Sequence, residues 1–246
     1  MVRLKVLSYN IHKGLSFGNF KQTLPELKER IQTKHFDFIF LQEVVGDHQH
    51  KSKVINNYHN NSHYEYLAKD EHHFRYGKNA VYDQGHHGNA ILSTYPVLKS
   101  NNVDLTINDY EYRGLLHIIS EVEKTQVHLF CTHINLLHLS RMEQVERIIK
   151  YIERIVPDEE PIIFCGDFND WPGKLSAIFK ERLNLDEGFL NLYDSHAKTF
   201  PSFLPFLPLD RMYYRNLKIV NAKTIDHSEW KHLSDHVAIF GEFEFQ

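Results

Sequence analysis

Several kinds of residue are scarce in this chain, and each scarcity removes a class of protein. There are two cysteines in 246 residues, Cys131 and Cys165, each inside an apolar run. Two buried, reduced thiols are expected, not a disulfide framework. Basic residues are not in excess: 28 Lys and Arg stand against 32 Asp and Glu, a formal net charge of −4 with histidine neutral. Proteins that hold duplex nucleic acid nonspecifically carry a clear basic surplus, so this balance weighs against, without excluding, a nucleic-acid partner. No apolar run approaches the roughly 20 residues that span a bilayer. Residues 2–9 read as a strand with no apolar signal region or small-residue cleavage site, so a cytoplasmic protein with no transmembrane segment is expected. Repeats, low-complexity tracts and long linkers are also missing. Residues 1–246 therefore read as one domain, expected to be monomeric and long enough to bury a large core.

What the chain does contain is a set of apolar runs that end in polar groups. Pro161-Ile162-Ile163-Phe164-Cys165-Gly166 runs into Asp167-Phe168-Asn169. In extended backbone, residues two apart point the same way, so Asp167 and Asn169 share a direction. A purely structural strand gains nothing from a carboxylate at its end, because burying an unpaired one costs several kcal/mol or shifts its pKa. The pattern recurs where Leu4 to Tyr9 meets Asn10-Ile11-His12, where Phe36 to Leu41 meets Gln42-Glu43, and where Val127 to Cys131 meets Thr132-His133-Ile134-Asn135. It is inverted once, where Ser234-Asp235-His236 precedes Val237 to Phe240. If that last strand is antiparallel to its neighbours, all five clusters meet at one sheet edge, where open α/β sheets bind ligands. They then offer oxygen ligands for a hard cation and imidazoles for proton transfer.

This ensemble resembles the endonuclease/exonuclease/phosphatase superfamily of metal-dependent phosphoesterases, and within it an uncharacterised bacterial branch. The matching blocks are Ser8 to His12, Leu41 to Val44, Gly88 to Ser93, Thr132-His133, Gly166 to Asn169, Leu209-Asp210-Arg211 and Ser234-Asp235-His236, in the order of the family. The resemblance implies an α/β fold, a four-layer α/β/β/α sandwich of two mixed sheets flanked by helices. It implies Mg²⁺ or Mn²⁺ as cofactor, with Glu43 the principal ligand and Asn10 and Asp235 completing the oxygen shell. His236 would act as general base or as a charged phosphate contact, with Asp210 as its partner carboxylate and Asp167 as the competing base. His133 and Asn169 would donate to phosphate oxygens, and Asn89 and His12 would contact phosphate or substrate. His12 stands where the abasic-site repair branch has a carboxylate, and that branch lacks the Thr132-His133 block. Both departures favour a phosphomonoesterase or phosphodiesterase acting on a small or lipid-like substrate, with a nuclease as the alternative.

Periodicity places helices over about 24–32 and 139–156. Thr23 with Glu26 and Ser140 with Glu143 match capping boxes, and Pro157 marks the second helix end. Strands are expected at 88–93, 114–122, 211–214, 217–224 and 237–245. Residues 68–88 and 194–208, richer in His, Gly, Asn and Pro, read as loops at the rim of the site. Of the 18 histidines, pairs such as His72-His73 and His86-His87 fit loops better than a zinc site. Phe200, Phe203 and Phe206, interleaved with Pro201, Pro205 and Pro208, suit base stacking, a lipid site or core closure, of which core closure is expected.

Overall fold

The strands alternate between two apolar environments, and this alternation sets the layers. In the first, β1 (Arg3–Asn10), Leu4 and Val6 enter one core while Leu7 and Tyr9 enter another. In β2 (Phe38–His48), Phe38 and Phe40 face the first core, Ile39 and Leu41 the second. The computed structural model describes residues 2–245 except 20, 49–61, 70, 84, 226–229 and 231. Its remaining strands are β3 (His73–Tyr82), β4 (Gly85–Ser93), β5 (Val97–Asp104), β6 (Gly114–Val122), β7 (Thr125–His133), β8 (Ile162–Asp167), β9 (Asp186–Glu187), β10 (Asp210–Arg215), β11 (Leu217–Thr224) and β12 (Ile239–Phe245). The helices are α1 (Leu24–Lys34), α2 (His63–Ala68), α3 (His138–Ile155), α4 (Leu175–Leu183) and α5 (Gly188–Tyr193).

Two six-stranded sheets result, in the orders β11-β12-β1-β2-β4-β3 and β5-β6-β7-β8-β10-β9. Each has one parallel pair at its centre, β1 with β2 and β7 with β8, among antiparallel neighbours. The sheets meet across a core that includes Val6, Phe40, Ile118, Leu129, Ile163 and Met212. Leu24, Leu27 and Ile31 of α1 cover the outer face of the first sheet. Ile148, Ile152 and Phe179 of α3 and α4 cover that of the second. This is the expected α/β/β/α sandwich. β12 lies antiparallel to β1, with Ile239 opposite Ser8, so the residues just before β12 stand beside the C-terminal end of β1.

Several local expectations change. Residues 68–88 form no rim loop but are mostly the β3–β4 hairpin, so His73, His86 and His87 lie in strands. Polar residues at the exposed positions of β3 hid its alternation. Neither capping box forms. The Thr23 hydroxyl donates to Leu233 O at 2.7 Å, and α3 begins two residues ahead of Ser140. Phe203 and Phe206 do not close the core: they are 59% and 58% exposed. Cys131 and Cys165 are free and buried as expected, yet they face each other in register on β7 and β8. Burial pushes the Cys131 thiol up to about 12.

Away from the rim, a buried polar chain crosses the second sheet. Asn101 Nδ2 donates to Tyr151 Oη at 3.0 Å. Tyr151 Oη lies 3.2 Å from His117 Nδ1, and His117 Nε2 lies 3.0 Å from His128 Nδ1. His128 Nε2 in turn meets the Glu160 carboxylate. Amide nitrogen only donates and carboxylate only accepts, so one proton order satisfies every atom, with both imidazoles neutral. Burial and the neighbouring His128 lower His117 to about 3.

Candidate active site

The two parallel strand pairs deliver the site residues. Asn10 at the end of β1 is in register with Gln42 within β2, where the parallel pairing stops, and His133 and Asp167 are in register at the ends of β7 and β8. Asp210 opens β10 directly opposite Asp167. Gly166 permits this closeness, because a Cβ there would sit 2.1 Å from Thr132 O. The five polar clusters thus meet on one rim.

Local backbone turns three of these side chains out of strand geometry. The register of β2 against β4 slips between Leu41 and Val44, and within that bulge Glu43 adopts φ +56°. His12 at +46° and Asn169 at +49° are also left-handed. Non-glycine residues held this way cost on the order of 1–3 kcal/mol each and cluster at functional sites.

At the centre, His236 Nδ1 donates to Asp210 Oδ2 at 2.8 Å, which leaves Nε2 facing Asp167 Oδ2 at 3.6 Å. His133 Nε2 approaches the same Asp167 oxygen at 3.5 Å, and Asn10 Nδ2 donates to it at 3.1 Å. Asp167 Oδ1 accepts from the Asn169 backbone N–H at 3.1 Å. His133, Asp167, Asp210 and His236 are all buried. Burial raises Asp167 to about 6, with Asp210 adding to the shift and His236 opposing it. For His236, burial is outweighed by Asp210 and Asp167, which lift the ring to about 10. His133 goes the other way, driven well down by burial and then by the positive charges of Arg113 and His236. Asp167, Asp210 and His236 place potential ligand atoms within 4.8 Å of one another. The 2.8 Å pairing of two of them makes this cluster a histidine–carboxylate device before a metal site.

The residues expected to hold a cation lie beside it. Glu43 accepts no hydrogen bond from any described residue; Lys13 Nζ lies 3.8 Å and His133 Nδ1 3.9 Å from its carboxylate oxygens. A carboxylate with open lone pairs, at the same rim as the Asp235 carboxylate and Asn10, whose Oδ1 accepts from the His12 N–H at 3.1 Å, offers hard oxygens suited to Mg²⁺ or Mn²⁺. Asp235 Oδ2 lies 2.9 Å from His12 Nδ1. Burial works against the Asp235 carboxylate, but hydrogen bonding from His12 and the charge of His236 outweigh it, so its pKa stays below the ordinary value.

Two expected phosphate donors are engaged with backbone. Asn169 Nδ2 donates to Ile134 O at 2.9 Å. Asn89 Nδ2 donates to Gly114 O at 3.0 Å and to Cys131 O at 3.4 Å, bridging the two sheets. Sequence reasoning passed over Lys13 and Arg113, and read Phe200 as core closure rather than as a neighbour of His236. Lys13 directly follows His12. Arg113 is a lone basic residue at the mouth of β6, and its charge acts on His133. The Phe200 ring lies 5.0 Å from that of His236.

Comparison with known proteins bears on the family and the fold. The chain is 38% identical over 241 residues to the uncharacterised protein YbhP of Escherichia coli K12, covering 97% of this chain and 95% of that one. An endonuclease/exonuclease/phosphatase from Beutenbergia cavernae superposes with a TM-score of 0.81 at 19% identity, covering all of this chain and 72% of the other. D. rerio TDP2 in complex with a single-strand DNA product superposes at 0.77 with 17% identity, covering 99% and 100%. The family model described as the Endonuclease/Exonuclease/phosphatase family matches residues 7–236. The chain belongs to that family.

Proposed function

We propose that the protein is a divalent-metal-dependent phosphoesterase that hydrolyses a small or lipid-like phosphomonoester or phosphodiester by in-line attack of water. The observation that carries this is the meeting of Glu43, unclaimed by any hydrogen bond among the described residues, with the Asp210–His236–Asp167 chain at one rim. Glu43, Asn10 and Asp235 would hold a Mg²⁺ or Mn²⁺ ion. Bound there, the ion would supply Lewis-acid stabilisation of phosphoryl charge.

The rest falls to the chain itself. Asp210 fixes the tautomer and tilt of His236, so Nε2 is the atom turned toward substrate. The proton released by the attacking water passes to the Asp167–His236 pair, whose facing atoms stand 3.6 Å apart. His133, and Asn169 through the Nδ2 hydrogen that Ile134 O does not take, flank Asp167 and donate to the non-bridging oxygens as charge develops. His12 orients Asp235, and Asn89 holds the sheets in register under the site.

A nuclease reading is kept by one observation, the likeness to TDP2 with its single-strand DNA product. Net charge of −4 argues the other way. A panel of nucleotides, single- and double-stranded DNA, RNA, inositol phosphates and phospholipids, assayed with Mn²⁺ across salt, separates the two. The proposal expects the best kcat/KM on a small or lipid-like ester with shallow salt dependence. Best turnover on a nucleic acid, with affinity collapsing as salt rises, would replace it with the nuclease.

A further inference from the structure

Among the described residues, large apolar side chains left in water gather at the catalytic end of the sheets. Phe17 follows β1, Leu137 and Leu139 follow β7, and Trp171 follows β8; they are 51%, 65%, 84% and 46% exposed. The densest group is the loop before β10, where Phe203, Leu204 and Phe206 are 59%, 66% and 58% exposed. The Phe17 and Phe203 rings are in contact, and apolar surface exposed in this way marks an interaction site.

The loop that carries the last group is built to hold these side chains outward. Phe206 and Leu207 N–H donate to Phe200 O at 3.0 and 2.9 Å, and Leu204 N–H donates to Pro201 O at 3.1 Å. Ser202 N–H donates to Asp235 O at 2.7 Å, and the Ser202 hydroxyl donates to Ser234 O at 2.8 Å. The backbone polar groups of the loop are thus tied to the segment that carries Asp235 and His236. At its tip the Phe203 ring meets the Phe17 ring, 5.2 Å away and nearly edge-on.

The chemistry of the tip selects its occupant. Phe203, Leu204, Pro205, Phe206, Leu207 and Pro208 offer no side-chain hydrogen-bonding group, so a nucleobase would find stacking but no partner for its edges. Acyl chains need none. Lys198, exposed, precedes the Phe203 loop, and Lys21, exposed and 3.8 Å from Glu26, follows Phe17; these local charges, rather than the net charge of −4, would meet anionic headgroups. No helix of the described chain is long and apolar enough to cross a membrane, so contact would be at the surface.

We propose that this rim, centred on Phe203, Leu204 and Phe206, seats the protein on an anionic phospholipid surface and brings a headgroup phosphoester to the catalytic cleft. The docking rests on exposed side chains alone; the role of the headgroup as substrate rests on the phosphoesterase reading.

The test uses the full chain and sucrose-loaded vesicles of equal parts phosphatidylglycerol and phosphatidylcholine. The wild type should co-sediment. The triple variant Phe203→Ser/Leu204→Ser/Phe206→Ser should partition at least about tenfold less, and Leu137→Ser/Leu139→Ser about threefold less. Both variants should hydrolyse a soluble chromogenic phosphodiester with Mn²⁺ within about twofold of wild type, since neither touches the catalytic groups. Phe203→Trp should show a blue-shifted emission on adding vesicles, which requires no loss of fold. Wild type that stays in the supernatant, or variants that sediment like it, would overturn the docking. So would a triple variant that loses binding to a single-stranded oligonucleotide while keeping vesicle binding. Absence of diester turnover in every protein would refute the phosphoesterase reading and leave the sedimentation result to decide the docking by itself.

Discussion

Mild acid should weaken this fold through His117, well away from the rim. In the folded chain the ring is held neutral, with a value near 3, against about 6.5 when unfolded. The unfolded state therefore binds the extra proton first. The stability is fully present above about pH 6.5 and is lost as pH falls toward the folded value. Between about pH 7.5 and about pH 5 the loss works out at about 2 kcal/mol, close to 1.4 kcal/mol for each pH unit below the unfolded pKa. The hydrogen-bond order gives the reason: a proton on His117 Nδ1 would face Tyr151 Oη, whose own hydrogen already points back. Urea unfolding followed by circular dichroism across this range measures it, with His117→Phe as the control. The variant should be less stable at neutral pH by about 1–3 kcal/mol, because His128 Nδ1 loses its donor. Its stability should then fall less steeply with acid. Parallel wild-type and variant curves would refute the argument.

Glu43→Ala should fold normally yet lose turnover, and chelation should abolish wild-type activity until Mg²⁺ or Mn²⁺ is restored; full activity in excess chelator would exclude the metal role. His236→Ala or Asp167→Ala should lower kcat by roughly two to four orders of magnitude with a smaller change in KM. Asp210→Asn should cost less, since it disturbs only the orientation of His236, and steady-state kinetics on one soluble ester ranks the three. Gly166→Ala should destabilise by about 1–3 kcal/mol in urea melts and lower kcat as well, because its Cβ must push β7 and β8 apart at 2.1 Å from Thr132 O.

The layers were readable because burial on both faces writes apolar runs: Ile162 to Cys165 and Phe38 to Leu41 admit little but central strands. The site was readable because each run ends in a group that water or a ligand must satisfy. Edge strand β3 was not, since half of its residues face solvent and mimic a loop. The capping boxes misled for another reason. A hydroxyl at a helix start bonds whichever acceptor the tertiary fold brings, and for Thr23 that was Leu233 O. The exposure of Phe203 and Phe206 was equally hidden, because a sequence does not say on which side of a hydrogen-bonded loop an aromatic ring will fall.

The left-handed backbone at Glu43 bears on how this chain can change over generations. A glycine there would relax the main chain, so under the proposed metal role loss of the carboxylate would be rewarded in stability at the moment it was punished in activity. Any lineage freed from catalysis should drift away from glutamate at this position early, ahead of the packed core. On that reading, a glutamate kept in such a conformation would record continuing selection on its side chain.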